Sequence, residues 1–262
     1  MDLGLKNKCA VVLAASKGLG RGTAQALAAE GCNLAVCSRN IENIEKTAAE
    51  IKQQFGVQVF HQAFDVKDKH ALEAFIKEAA GVLGSIDILV TNAGGPPVKS
   101  FEETTEDEWH EWFDITFMSV TRSIKAVLPF MKEKNWGRII NITSVSVKSP
   151  VEKLIYSNAL RLAVIGLAKS LSQELGPFGI TVNNAAPGYH LTDGLERIIT
   201  NKVQSGLQRE DVLEQWISSM PIKRIGKPQD LADIITFLAS ERAGFITGTT
   251  LQVDGGLYKG TL

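Results

Sequence analysis

Short apolar runs alternate along this chain with longer stretches of helical periodicity. The runs are "CAVVLA" (9–14), "NLAVCS" (33–38), "VQVFHQAF" (57–64), "IDILVT" (86–91), "GRIINIT" (137–143), "ITVNNAA" (180–186) and "TLQVDG" (250–255). Helical patterns fill 18–30, 40–54, 68–82, 153–175 and 228–240, and a long one over 105–134 is broken once. Residues 189–226 read as an irregular helical insert. Strands that are apolar on both faces, each followed by a helix, predict a parallel sheet covered on both sides. Right-handed crossovers then make it doubly wound. The expected fold class is α/β, with about seven parallel strands and helices on both faces, in a single domain over 1–262. Ligands of such sheets bind beyond the carboxyl ends of the strands, so the residues just after each run are the ones to inspect.

Composition narrows the partners. The net charge is −1, with bases scattered among acids, so no global field favours nucleic acid or an anionic membrane. Cys9, Cys32 and Cys37 lie in or beside apolar runs and read as buried thiols in a reducing compartment; no metal-ligand spacing accompanies them. No stretch is long enough to span a bilayer, and a cytoplasmic location is expected.

The turn after the first run, "AASKGLGRG" (14–22), places Ser16, Lys17, Gly18, Leu19 and Gly20 where a strand passes into a helix. Glycines there allow a tight turn, and the free N–H groups of the helix start suit a pyrophosphate. The second run ends in Ser38 and Arg39, without the acid that would hold a ribose 2′-hydroxyl. Two cations, Lys17 and Arg39, suit a 2′-phosphate instead, which points to NADP. The third run is followed by Asp65 and Val66, and the fourth by Asn92, Ala93 and Gly94.

Together these segments resemble the short-chain dehydrogenase/reductase family, and the resemblance runs nearly end to end. Gly18 and Gly20 match the last two glycines of its T-G-x-x-x-G-x-G turn, with Leu13 and Ala14 at the threonine and first glycine. "TNAG" (91–94) is close to its N-N-A-G, with Thr91 at the first asparagine, and "VDGG" (253–256) resembles its closing strand and turn. Pro187, Gly188 and Thr192 match the cofactor segment after the sixth strand. The resemblance implies a Rossmann-type fold, bound NADP(H), a small-molecule carbonyl substrate, and pairing into a homodimer or homotetramer through the two long helices. The 3-oxoacyl-carrier-protein reductases are the nearest subclass, and 189–226 would be the substrate lid. Tyr189, Leu191, Leu195, Ile198, Ile199, Trp216 and Met220 in that lid suit an apolar chain, while Arg197, Lys202 and Arg209 are candidates to meet an acidic carrier.

The family's relay of serine, tyrosine, lysine and asparagine maps incompletely. Ser144 matches the serine, with Ser146 as a second hydroxyl. Tyr156 is read as the catalytic proton donor, twelve residues after Ser144 where thirteen is usual. Leu160 then stands at the lysine and Thr116 at the asparagine. A phenol with its ordinary pKa of about 10 is protonated at neutral pH and could still serve reduction, but it would be a poor base for oxidation. Arg161, five residues from Tyr156, is turned by roughly 140° around the helix and is expected to point away from the site. Lys153 and Lys148 are the candidate replacement cations. His190 is read as an exposed loop residue rather than an acid or base over the nicotinamide. The alternative to a reductase is a non-catalytic NADP(H)-binding relative.

Overall fold

The computed structural model describes residues 1–261. Seven strands form one parallel sheet in the order β3-β2-β1-β4-β5-β6-β7. The strands are β1 (Cys9–Val12), β2 (Asn33–Ser38), β3 (Val59–Ala63), β4 (Ile88–Thr91), β5 (Gly137–Ile142), β6 (Ile180–Pro187) and β7 (Thr250–Val253). Strand order reverses between β1 and β4, and that crevice is where a ligand sits in such sheets. Most strands are shorter than their apolar runs, with residues lost at the start of β4 and at both ends of β3.

Helices α1 (Gly18–Ala29), α2 (Ile41–Phe55) and α9 (Pro228–Ala239) cover one face. Leu27, Ile44 and Leu231 pack there on Val12, Val36 and Ile140. Helices α3 (Lys69–Leu83), α5 (Ser119–Lys134) and α6 (Ile155–Leu175) cover the other. Phe75, Val127 and Val164 pack there on Val11, Leu89 and Val182. The alternation of β1 explains the split: Ala10 and Val12 face one layer, Val11 the other. Cys9, Cys32 and Cys37 are buried free thiols, and desolvation pushes Cys32 and Cys37 up to about 12, so they stay protonated.

The break expected within 105–134 is a π turn, not a gap. Helix α4 (Glu106–Phe113) runs through a π-helical segment, Asp114–Met118, directly into α5. After β6, helices α7 (Asp193–Gln204) and α8 (Arg209–Ser219) pair around a small core of their own. Leu195, Ile199, Trp216 and Met220 are buried in it, and Tyr189 stacks on Trp216 at 4.5 Å. These side chains were expected to line a path for substrate; instead they hold the insert together. Among the described residues no helix is long and apolar enough to cross a membrane.

Candidate active site

The first turn is built for a close approach. Gly18 has φ +54, and no side chain caps α1, whose first turn carries no acid. The helix start therefore presents uncapped N–H groups, as an anionic phosphate needs. Gly20 is required for packing: a Cβ there would lie 2.4 Å from the Ala14 carbonyl oxygen and 2.8 Å from Asn92 Nδ2. Asn92 itself donates to that Ala14 carbonyl at 3.2 Å, tying the end of β4 to the turn. Ala14 has φ +49, in the left-handed region where a methyl group is strained. The family's glycine at this position is thus replaced at a conformational cost.

The neighbouring segments converge on the same crevice. Thr47 donates to the Ser16 carbonyl at 3.2 Å and Ala15 N–H to Cys37 O at 2.9 Å, holding the turn on β2. Ser38 is buried and donates to Asn40 O at 3.0 Å, while Arg39 is exposed beside it. Asp65 accepts from Lys67 N–H at 3.1 Å, and Val66 is buried. Thr91 donates to Asn141 at 2.7 Å, and Asn141 donates to Asn184 at 3.0 Å, a buried polar chain across the ends of β4, β5 and β6. No sequence motif signals this polar chain; the strand register, which pairs Thr91 with Asn141 and Asn141 with Asn184, accounts for it. Gly188 follows Pro187 and leaves no room for a Cβ, which would lie 2.8 Å from Asp254 Cα. Thr192 caps α7 by accepting from Leu195 N–H at 3.2 Å, and its methyl group lies against Gly18. Lys17 Nζ lies 3.4 Å from Asp193, so the insert touches the first turn.

Helix α6 reverses two expectations. Tyr156 is fully buried, its ring edge-on to Trp109 at 4.7 Å and its hydroxyl donating to Glu108 at 2.9 Å. Glu108 also pairs with Lys99 at 2.5 Å; the Lys99 bond and then the Tyr156 bond hold its carboxyl down at about 2. Burial, reinforced by the Glu108 carboxylate, raises the Tyr156 pKa. Arg161 points the other way: its Nη1 donates to Ile142 O at 2.9 Å, and it lines a cleft with Asn92, Thr116 and Thr143 at the ends of β4 and β5. Desolvation lowers its guanidinium to about 10, so it remains a cation at neutral pH. Thr116, carried inward by the π turn, is buried in this cleft with a hydroxyl that has no partner among the described residues.

Five residues along a helix separate Tyr156 from Arg161, so only one of them can face the cleft. Ser157 shares the Arg161 face, four residues earlier. Its Oγ lies 3.1 Å from Ser146 Oγ, and Ser144 Oγ accepts from Ser146 N–H at 3.1 Å. The expected rescuer Lys153 lies before α6, exposed and at φ +57. His190, expected to be exposed, is buried; desolvation lowers its pKa, its Nδ1 lies 3.3 Å from Gly188 O and its Nε2 has no partner among the described residues.

Residues 13–258 match the family described as enoyl-(acyl carrier protein) reductase. The chain belongs to the short-chain dehydrogenase/reductase family. It is 38% identical over 256 residues to nodulation protein G of Azospirillum brasilense, covering 97% of this chain and 99% of that protein. It is 36% identical over 255 residues to the 3-oxoacyl-[acyl-carrier-protein] reductase FabG of Staphylococcus epidermidis, covering 96% and 99%. The structure of L-sorbose reductase from Gluconobacter frateurii, complexed with NADPH and L-sorbose, superimposes with a TM-score of 0.94 at 29% identity, covering 99% and 100% of the two chains.

Within that family the spacing now reads differently. The family's thirteen-residue interval from Ser144 ends on Ser157, not Tyr156. Four further, at the lysine's place, stands Arg161. Ser157 and Arg161 therefore share one face of α6, and Arg161 lines the cleft. Spacing was the signal available in the sequence; the tyrosine one residue early concealed it. The residues fit a nicotinamide dinucleotide: an uncapped helix start, a left-handed glycine, a buried unpartnered hydroxyl and a cation in the cleft.

Proposed function

We propose that this short-chain dehydrogenase/reductase is an NADP(H)-dependent carbonyl reductase whose reaction centre is formed by Arg161, Ser157 and Ser144, with Tyr156 outside it. The observation that carries this reading is the Arg161 guanidinium in the cleft beyond β4 and β5. NADP is favoured because β2 ends in Ser38 and is followed by the exposed Arg39, with no acid there. When bound, the dinucleotide supplies a hydride. Arg161 provides a fixed positive charge that favours negative charge developing on a substrate oxygen, and the serine hydroxyls offer hydrogen bonds to the same oxygen. The proton that completes the alcohol comes from water through the serine hydroxyls. With no base in the relay, reduction is the favoured direction.

Simple ketones and 3-oxoacyl thioesters are the first substrates to test, given the FabG relatives. The exposed Leu162 and Phe113 support pairing of α4–α5 and α6 between subunits, as a dimer or tetramer. NADPH consumption on such a panel tests the function: turnover that survives Tyr156→Phe and is lost in Arg161→Met supports it. Loss in Tyr156→Phe with the fold intact contradicts it. A second reading, a nucleotide-binding relative without turnover, draws on the strained Ala14 and the sequestered Tyr156. Tight NADPH binding with no ketone consumed would favour that reading.

A further inference from the structure

We infer that Arg197 anchors an anionic oxygen group of the carbonyl substrate, a carboxylate on the substrate itself or a phosphate on the arm that carries a thioester. This rests on the reductase reading and names the substrate chemistry of the same cleft. The charges at the start of α7 are otherwise engaged. Asp193 faces Lys17 at 3.4 Å, and Glu196 holds Arg209 in a two-pronged pair at 2.7 and 2.8 Å. Arg197 is exposed and, among the described residues, its side chain forms no ion pair; the side chain's one hydrogen bond, from Nη2 to Gly95 O, is 3.5 Å long. That length is the outer limit of a hydrogen bond, so little is lost when the guanidinium turns to a better acceptor.

The place is as informative as the charge. Gly95 lies three residues beyond Asn92, which lines the cleft with Arg161. Arg197 thus reaches from the insert across to the loop that continues from the cleft-lining Asn92 and Ala93. A Cβ on Gly94 would meet nothing within 4 Å, so the loop borders open space on that side. One cation lines the cleft and another touches the loop leading from it, and among the described residues neither has a carboxylate partner, which draws an anion inward. A planar guanidinium grips carboxylate and phosphate through two parallel bonds, which an ammonium cannot do.

The test compares charged and neutral versions of one ketone in the wild type and in Arg197→Gln, which keeps hydrogen bonding but not the charge. Acetoacetate is set against its methyl ester, and the 3-oxobutanoyl thioester of coenzyme A against that of N-acetylcysteamine. The inference predicts a KM at least tenfold higher in the variant for acetoacetate or for the coenzyme A thioester, and a change under twofold for both neutral partners. Which charged substrate responds identifies carboxylate or phosphate as the source. Equal changes for charged and neutral compounds, or none, overturn it. Thermal-shift titration of the NADPH-loaded protein with 3-hydroxybutyrate and with coenzyme A needs no turnover. A stabilisation by either that Arg197→Gln abolishes supports the anchor even if no ketone is reduced, in which case the reductase reading alone fails. The absence of any stabilisation in the wild type overturns the anchor.

Discussion

The two sides of the first turns of α6 hold adjacent residues with opposite fates. Tyr156 lies in a closed packing site against α4, with an aromatic partner and a carboxylate to receive its hydroxyl. Ser157 and Arg161 lie on the side that turns toward β5, where a hydroxyl meets a hydroxyl and a guanidinium meets a strand-end carbonyl. The first side is satisfied within the protein. The second leaves donors over for something else, and the unpartnered Thr116 hydroxyl borders the same cleft. A residue's chemical type is therefore a weaker guide to function than the face it occupies, and one position along a helix moves that face by about 100°.

Substitutions on each face should separate function from packing. The largest effect is expected for Arg161→Met, where loss of the cleft cation should lower kcat by about a hundredfold or more, the usual scale for an electrostatic group at a reacting oxygen. Steady-state rates with NADPH and the best ketone check this. Tyr156→Phe should instead lower stability by about 1–2 kcal/mol, since it deletes a hydrogen bond to a charged group. That corresponds to a fall of several degrees in Tm, with kcat changed less than twofold.

The same packing site should report on pH. Glu108 is held at about 2 against an ordinary value of 4.5, so it stabilises the folded state fully above the ordinary value and loses that contribution as pH falls toward about 2. The Tm deficit of Glu108→Gln should accordingly be greatest near neutrality and shrink below about pH 4.5, which melting curves across that range would show. The smallest effect belongs to the first turn. Ala14→Gly should raise stability by up to about 1 kcal/mol by relieving a left-handed alanine, read as a small rise in Tm.

Much of the architecture was legible because it follows from period and placement. The seven apolar runs became the seven strands, since each is short and is followed by a turn or a helical pattern, as in a parallel sheet covered by helices. The glycine turn, Asn92 and the Pro187–Gly188 turn were legible because each needs backbone freedom or a strand end. The proposed reaction centre was not, for two physical reasons. A tyrosine one residue before Ser157 offered the expected chemistry on the opposite face, and only the spacing from Ser144 distinguished the two. Lid side chains such as Trp216 looked available to substrate because a sequence does not reveal that α7 and α8 build a core of their own. His190 looked like a loop residue, and the bridge that pairs it with Gly226 is a tertiary contact without a local signal.

The most direct test of the central claim is the steady-state rate of NADPH consumption with the best ketone, measured side by side for the wild type, Arg161→Met and Tyr156→Phe. The account predicts kcat lower by about a hundredfold or more in Arg161→Met and within about twofold of wild type in Tyr156→Phe. Loss of turnover in Tyr156→Phe with Arg161→Met unaffected would put the tyrosine back in the cleft and contradict it.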